Sequence, residues 1–401
     1  MGELPLAGVR VVDFTQVVAG PYATLQLALY GAEVIRVESR ARMDPWRFRD
    51  GNDDPNGSRP FADQSKGKRS VTINLKTPEG VELVRRLAAL SDVVAENFSA
   101  GVLDRLGLGY AALRQVRPDL IFLSMPGLGN SGPHRDYLSF GPNLMALCGM
   151  TYLWNHPDLP EPVGSQTSYP DYLAGLHAAF AVMAALHYRD RTGEGQFIDL
   201  AQSEVTASAL GPAIMEALAN GREARPRGNS SPSAAPHGCY RCAGEDQWLA
   251  IAVETDAQWE ALVGALGHPA WATEPALATF AGRRAARAAL DRHLEAWTCQ
   301  HAAREAMELL QAAGVPAGVV ASGHDVLTDP QLRAREFVVA YDHPRLGHVE
   351  LPGAPVRFSA APARTEQYGP LLGADNAYVF GELLGLSSAE QAALAERKVI
   401  Y

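Results

Sequence analysis

Three stretches within thirty residues restrict the fold more than anything else in this chain. The run VRVVDF (9–14) is apolar and β-branched almost throughout, as expected of a strand buried on both faces. AGPYATLQLALYGA (19–32) has helical spacing and stops at Gly31, a residue suited to the turn that closes a helix. EVIRVE (33–38) is a second strand. Strand, helix and strand in so short a span form a βαβ unit, with parallel strands and a right-handed crossover. The pattern recurs as a strand at 70–75, a helix over 77–91 opened by Thr-Pro-Glu, a strand at 92–98, a helix near 101–115 and a strand at 120–125. These predict an α/β fold with a doubly wound parallel sheet.

The first βα turn, TQVVAGPY (15–22), is not G-x-G-x-x-G. It does not offer a dinucleotide pyrophosphate the usual close backbone approach, which argues against a nicotinamide enzyme.

Further along, a strand at 196–202 and a helix near 203–220 lead into a Gly-, Pro-, Ser- and Arg-rich stretch at 221–238, a linker or mobile loop. Residues 239 to about 325 predict a smaller unit: a strand pair turning at Gly244, three helices and a closing strand in PAGVVAS. Pro and Gly return at 328–362, with short strands in EFVVAYDH and GHVELPG, and the tail is helical with a capping signal from Ser387 to Glu390. A chain of 401 residues suits two domains.

The balance of 35 basic against 45 acidic residues gives a net charge of −10, so no affinity for nucleic acid is expected. The start lacks the pattern of a signal peptide, and the most apolar helix, near 173–187, is too short to span a bilayer. Four cysteines without framework spacing suit a reducing compartment, so a cytoplasmic protein with no membrane association is expected. Cys239 and Cys242 form C-x-x-C on a predicted strand; no second ligand pair follows, so two strand cysteines and no metal site is the preferred reading.

Only four lysines occur, and Lys66, Lys68 and Lys76 fall together in KGKRSVTINLK. That stretch reads either as a solvated strand edge or as a site for a polyanionic ligand. Asp171 follows Pro170 at the start of a helix whose apolar residues 173, 176, 180, 183 and 187 predict one buried stripe, with His177 and His187 as packing residues. A carboxylate in a first helical turn is favoured structurally, and the same helix end would keep it ionised, as a carboxylate nucleophile requires. The local pattern fits both roles.

Taken in order, VVDFTQVVAGPYATLQLALYGAEVIRVE, KGKRSVTINLKTPEG, DVVAENFSAGVLDRLGLGY, PDYLAGLHAAFAVMAALHYRDRTGEGQFIDLAQ, RCAGEDQWLAIAV and PLLGADNAYVFGELLGLS resemble the class III CoA-transferases. This family includes formyl-CoA transferase, carnitine CoA-transferase and the α-methylacyl-CoA racemases. The resemblance implies acyl-CoA and a small carboxylic acid as substrates, coenzyme A entering as co-substrate, and no metal. It implies a Rossmann-like large domain built from both chain ends plus a smaller α+β domain, in an interlocked homodimer. The corresponding division is 1–202 for the large domain, 203–238 as linker, 239–327 as small domain, 328–362 as linker and 363–401 returning to the large domain.

By the same resemblance Asp171 in PDYLAG stands at the family's nucleophile. Gln16, Val17, Arg40, Lys76, Asn97, Phe98 and Arg105 stand at or beside its CoA-binding positions. Ser39 departs from a basic residue of the formyl-CoA transferases, and their long glycine loop is replaced by RGNSSPSAAPHG, which argues against oxalate-to-formyl transfer. A racemase needs an acid/base pair, and Phe140-Gly141-Pro142 stands where its His-Asp falls. A racemase-like enzyme, or one subunit of a hetero-oligomeric transferase with a paralogous partner, are the alternatives. The apolar run NLMALCGMTYLW (143–154) leads to an expectation of a carbon-rich acyl pocket.

Overall fold

The computed structural model describes residues 4–401 except 50, 52, 362 and 364–366. The expected linker end at 362 and the first three residues of the chain lie outside the described residues. The chain divides into two compact units, the larger formed by Met1–Thr151, Ser165–Glu223 and Pro330–Tyr401 and the smaller by Tyr152–Gly164 and Ala224–Asp329.

The larger unit begins with β1 (Arg10–Asp13), α1 (Ala19–Leu29), β2 (Glu33–Glu38), α2 (Arg59–Gln64), β3 (Arg69–Thr72), α3 (Pro78–Ala89) and β4 (Val93–Glu96). The predicted helix near 101–115 is instead two short helices, α4 (Val102–Arg105) and α5 (Tyr110–Leu113), separated at Gly107, whose φ of 72° breaks helical geometry. Next come β5 (Ile121–Ser124), α6 (Gly141–Leu147), α7 (Met150–Leu153), the 24-residue α8 (Tyr169–Thr192) and β6 (Phe197–Asp199). The predicted helix near 203–220 likewise divides, into α9 (Gln202–Ser208) and α10 (Gly211–Asn220).

The six strands form one parallel sheet in the order β3-β2-β1-β4-β5-β6. The order reverses between β1 and β4, and ligands of such sheets bind in the crevice outside the carboxyl ends of the strands at that reversal. One face of the sheet packs on α3 through Val12, Val94, Leu83 and Leu87; the other packs on α1 and α8 through Val11, Val93, Ala23 and Ala178. The C-terminal segment closes the β3 side: Asn376 accepts from the Thr72 N–H at 2.9 Å, and Ile400 bridges Ile73.

Helix α8 buries a different face from the one its sequence predicts. Ala174, Gly175, Ala178, Ala179, Val182, Ala185 and Leu186 face the core, whereas Leu176, Phe180 and Met183 are exposed, Phe180 at 67%. Close helix approach selects the small residues: a Cβ on Gly175 would lie 2.9 Å from the Ala19 carbonyl oxygen. His177 and His187 are exposed on α8 and do not pack. On α10, Ile214, Met215 and Leu218 are also exposed.

The smaller unit holds an antiparallel sheet of β7 (His237–Arg241), β8 (Trp248–Ala252) and β9 (Ala317–Val319). Trp259, Leu262, Leu290, Leu294 and Leu310 from three helices cover it, so this unit is α+β. Cys239 lies in β7 and Cys242 just beyond it, both as free thiols. Among the described residues no helix is long and apolar enough to cross a membrane, and no cluster of three metal-ligating side chains occurs.

Candidate active site

The carboxyl ends of β1 and β4 meet through one side chain. Asn97 accepts the Gln16 N–H at 2.8 Å and donates its amide to the Gln16 carbonyl at 2.9 Å, tying the first βα loop to the β4 loop across the topological switch point. Gly20 lets the first turn of α1 come this close, since a Cβ there would sit 2.4 Å from Thr15 Cβ and 3.0 Å from Asn97. Next in the loop, Val17 has φ 67°, a conformation unusual for a β-branched residue.

A cluster of fully buried charges supports this loop from below. Lys68 donates to Thr24 Oγ1 at 2.7 Å, to the Pro21 carbonyl at 2.9 Å and to Asp13 at 3.3 Å. Arg36 pairs with Asp44, whose two carboxylate oxygens each lie 3.1 Å from the Val17 nitrogen. Glu38 accepts from Arg47 at 2.7 Å and from the Asp44 N–H at 3.1 Å. Burial pushes the Lys68 ammonium down to about 8 against the pull of Asp13. Lys66 is also buried, donating to Asp63 and to the Pro352 carbonyl. Neither the solvated-edge nor the polyanion reading therefore holds for Lys66 and Lys68; Lys76 alone of that trio is exposed.

Asp171 lies in the first turn of α8, after the N-cap Ser168, and is half-buried. α8 runs towards β6, so this end sits at the carboxyl edge of the sheet. The first turns of α1 and α8 are packed together, with Tyr22 edge-on to Tyr172 at 4.9 Å between ring centroids. Burial raises the Asp171 carboxyl above its ordinary range, and the Ser168 hydroxyl, which opposes that shift, does not cancel it. The helix end alone therefore does not set its ionisation, as the sequence suggested it would.

Gly141, the first residue of α6, faces the same carboxylate. A Cβ here would lie 2.4 Å from Asp171 Oδ2 and 1.6 Å from Ser168 Oγ, so only glycine leaves both side chains where they are. Gly141→Ala is expected to shift the start of α8, because its Cβ would meet Ser168 at both Oγ (1.6 Å) and Cβ (2.8 Å) as well as Asp171 Oδ2. It should lower turnover about 100-fold by displacing the carboxylate. Turnover and thermal unfolding measured together check this, and an unchanged rate would contradict the placement.

The remaining sequence candidates line the same edge. Arg40, Lys76 and Arg105 are exposed beyond β2, β3 and β4, and Phe98 is half-buried. The turn after β2, closed by the Arg42 N–H to the Ser39 carbonyl at 2.9 Å, carries the Arg42 guanidinium to 5.6 Å from the Phe98 ring centroid. Sequence reasoning missed Arg42, as well as Asp13, Asp44 and Ser168. Glu96 holds the next peptide, accepting the Phe98 N–H at 2.7 Å and the Ser124 hydroxyl; burial pushes its carboxyl up to about 7. Of the apolar run after 143, Leu144, Met145 and Met150 are buried, whereas Leu147, Tyr152 and Trp154 are exposed.

A family model described as CoA-transferase family III matches residues 6–376. The chain belongs to CoA-transferase family III. Over 396 residues it is 35% identical to succinyl-CoA–D-citramalate CoA-transferase of Chloroflexus aurantiacus, covering 99% of this chain and 98% of that one. It is 34% identical to succinate–glutarate CoA-transferase of Agrobacterium fabrum, covering 94% and 96% respectively. Among solved structures, a CAIB/BAIF family protein from Brucella suis superposes with a TM-score of 0.87 at 34% identity, over 95% of this chain and all of that one. This family III chain is thus an enzyme, a CoA-transferase acting between an acyl-CoA and a carboxylic acid.

Proposed function

We propose that Asp171 is the nucleophile of this transferase, and the observation that carries the reading is its placement. It is a half-buried carboxylate at the start of α8, on the carboxyl edge of a parallel sheet, packed against a glycine whose Cβ would collide with it. Its carboxylate attacks the thioester carbonyl of the donor, and CoA leaves as thiolate, giving an aspartyl-acyl anhydride. The thiolate then attacks the aspartyl carbonyl, releasing the donor acid and leaving an aspartyl-CoA thioester. The acceptor carboxylate attacks that thioester, and the same two steps in reverse deliver the new acyl-CoA and free Asp171. Both intermediates hydrolyse in water, which suits a half-buried site.

Developing oxyanions find donors at the start of α1. This helix has no side-chain cap, and the Val18 and Ala19 N–H groups bond to nothing else among the described residues. Gln16, Val17 and Phe98 would contact CoA along the same edge, with Arg40, Lys76 and Arg105 meeting its phosphates. Asn97, whose amide is engaged by Gln16, serves by fixing the loop. Arg42 joins the basic set because it already lies near Phe98. The racemase alternative needs a proton-transfer partner for Asp171, and Phe140-Gly141-Pro142 stands in sequence where the racemases' His-Asp falls.

The substrates we propose are succinyl-CoA and dicarboxylic acids, supported by the activities of the two transferases above. The test is incubation with a panel of acyl-CoAs, a hydroxylamine quench, and mass spectrometry of the peptide carrying residue 171. A hydroxamate on Asp171 that requires acyl-CoA, formed best with succinyl-CoA, is expected. Absence of the adduct with every donor, together with α-proton exchange of a 2-methylacyl-CoA in deuterated water, would point to racemase chemistry instead.

The exposed apolar faces of α8 and α10 support a homodimer, in which a second, interlocked copy covers Phe180, Met183, Met215 and Leu218. Because this chain carries its own Asp171, a paralogous subunit is not needed to supply the nucleophile. Sedimentation of the purified chain should give twice the monomer mass and undiminished activity without any added subunit. A stable, active monomer would remove this part of the reading.

A further inference from the structure

Val17 is the strained residue of the larger unit's ligand-binding edge. A β-branched side chain at φ 67° persists only where the surroundings impose it. Two clamps do so. Asn97 brackets Gln16 on both its N–H and its carbonyl, and Asp44 receives the Val17 N–H with both oxygens 3.1 Å from that nitrogen. Asp44 is itself immobile: it is 1% exposed, pairs with Arg36, accepts the Trp46 N–H at 2.9 Å and donates its own N–H to Glu38. The next peptide N–H after Val17 is that of Val18, the first of the uncapped donors that open α1. Rotation of Val17 to negative φ would swing that donor away from its present direction.

We propose that Asp44 is a positioning residue for acyl transfer: by accepting the Val17 N–H it holds Val17 at positive φ and so aims the free N–H groups of α1 at the acyl group on Asp171. This rests on the reading of Asp171 as nucleophile. A carboxylate suits the task because charge-assisted acceptance is strong and both oxygens present lone pairs to the N–H. An asparagine would offer one oxygen and place an NH₂ among donors, against either Val17 or Arg36.

A double-mutant cycle separates this role from plain stabilisation. Glycine adopts positive φ as readily as negative φ, so Val17→Gly removes the reason for the clamp. The measured quantity is the rate of hydroxylamine-trappable adduct formation at saturating succinyl-CoA. Asp44→Asn is expected to slow loading about 30-fold in the parent chain but about 3-fold or less in the Val17→Gly background. If Asp44 only stabilised the fold, added chain entropy from glycine would make the double variant worse, not better. Equal losses in both backgrounds, or no loss with Asp44→Asn alone, would overturn the proposal.

Should Asp44→Asn fail to fold, Val17→Pro decides the matter. It leaves every buried charge in place, removes the N–H and fixes φ near about −65°. Loading about 100-fold slower, measured well below the variant's own lowered unfolding temperature, is expected, and loading at the parent rate overturns the proposal. The nucleophile reading fails separately: an unmodified chain that never acquires the Asp171 adduct refutes that reading whatever the cycle shows.

Discussion

Asp171→Asn is expected to lower turnover at least about 1,000-fold, with the acyl-CoA KM changed by no more than a few-fold. The substitution keeps the shape and the helix position but replaces a carboxylate by a neutral amide that cannot form the anhydride. A loss in kcat with KM preserved marks a group that acts in the transition state and not in binding. The pH profile of loading follows from the surroundings. Burial raises the Asp171 carboxyl, so loading should fall on acidification at a pH above the ordinary aspartate range, as the nucleophile takes up its proton. Ser168 favours the ionised form, so Ser168→Ala should move this acid limb higher still. Stopped-flow or quenched loading across pH reads both effects. Substantial turnover by Asp171→Asn, or an acid limb that Ser168→Ala shifts downward, would contradict the assignment.

The sheet was legible because burial on both faces writes itself as β-branched runs, and β1, β2, β4 and β5 fall inside the runs that predicted them. Helix faces were less legible. α8 is apolar on two sides, and periodicity ranks large side chains first, whereas packing against α1 selects alanine and glycine. The charged residues were the least legible of all. Lys66 and Lys68 look like surface residues by type, and only the fold shows that Asp63 and Asp13 lie beside them. The chemistry of Asp171 could be read locally as a helix-starting carboxylate and no further; its significance came from the order of several sequence blocks resembling one family. Gly141 carried no local signal because a glycine's value here is the contact that its missing Cβ avoids. Val17 likewise gives no sign in sequence of its positive φ, since that conformation is imposed from Asp44, 27 positions away.

Glu38→Ala is expected to destabilise the larger unit by about 3–5 kcal/mol, the usual consequence of breaking a buried ion pair from one side. Glu38 accepts from Arg47 Nη2 at 2.7 Å and Nε at 2.9 Å, and from Arg36 at 3.3 Å, with both guanidinium groups at 1% exposure or less. Its removal leaves two buried cations short of an anion, and the Asp44 N–H loses its acceptor. The two arginines overcome the penalty of burial and hold the Glu38 carboxyl at about 2, against an ordinary value of 4.5. A folded-state pKa below the unfolded one contributes stability that is fully present above about 4.5 and is lost as the pH falls towards about 2. That contribution is about 3 kcal/mol, of the same order as the loss expected on truncation. Denaturant unfolding at several pH values tests both. The parent chain should lose stability between pH 5 and pH 2 more steeply than Glu38→Gln, which has no proton to take up at this position. Parallel slopes for the two proteins would show that the buried cluster does not govern acid unfolding. Because the same cluster holds Asp44, and through it Val17, a Glu38 variant that still folds should also load Asp171 more slowly.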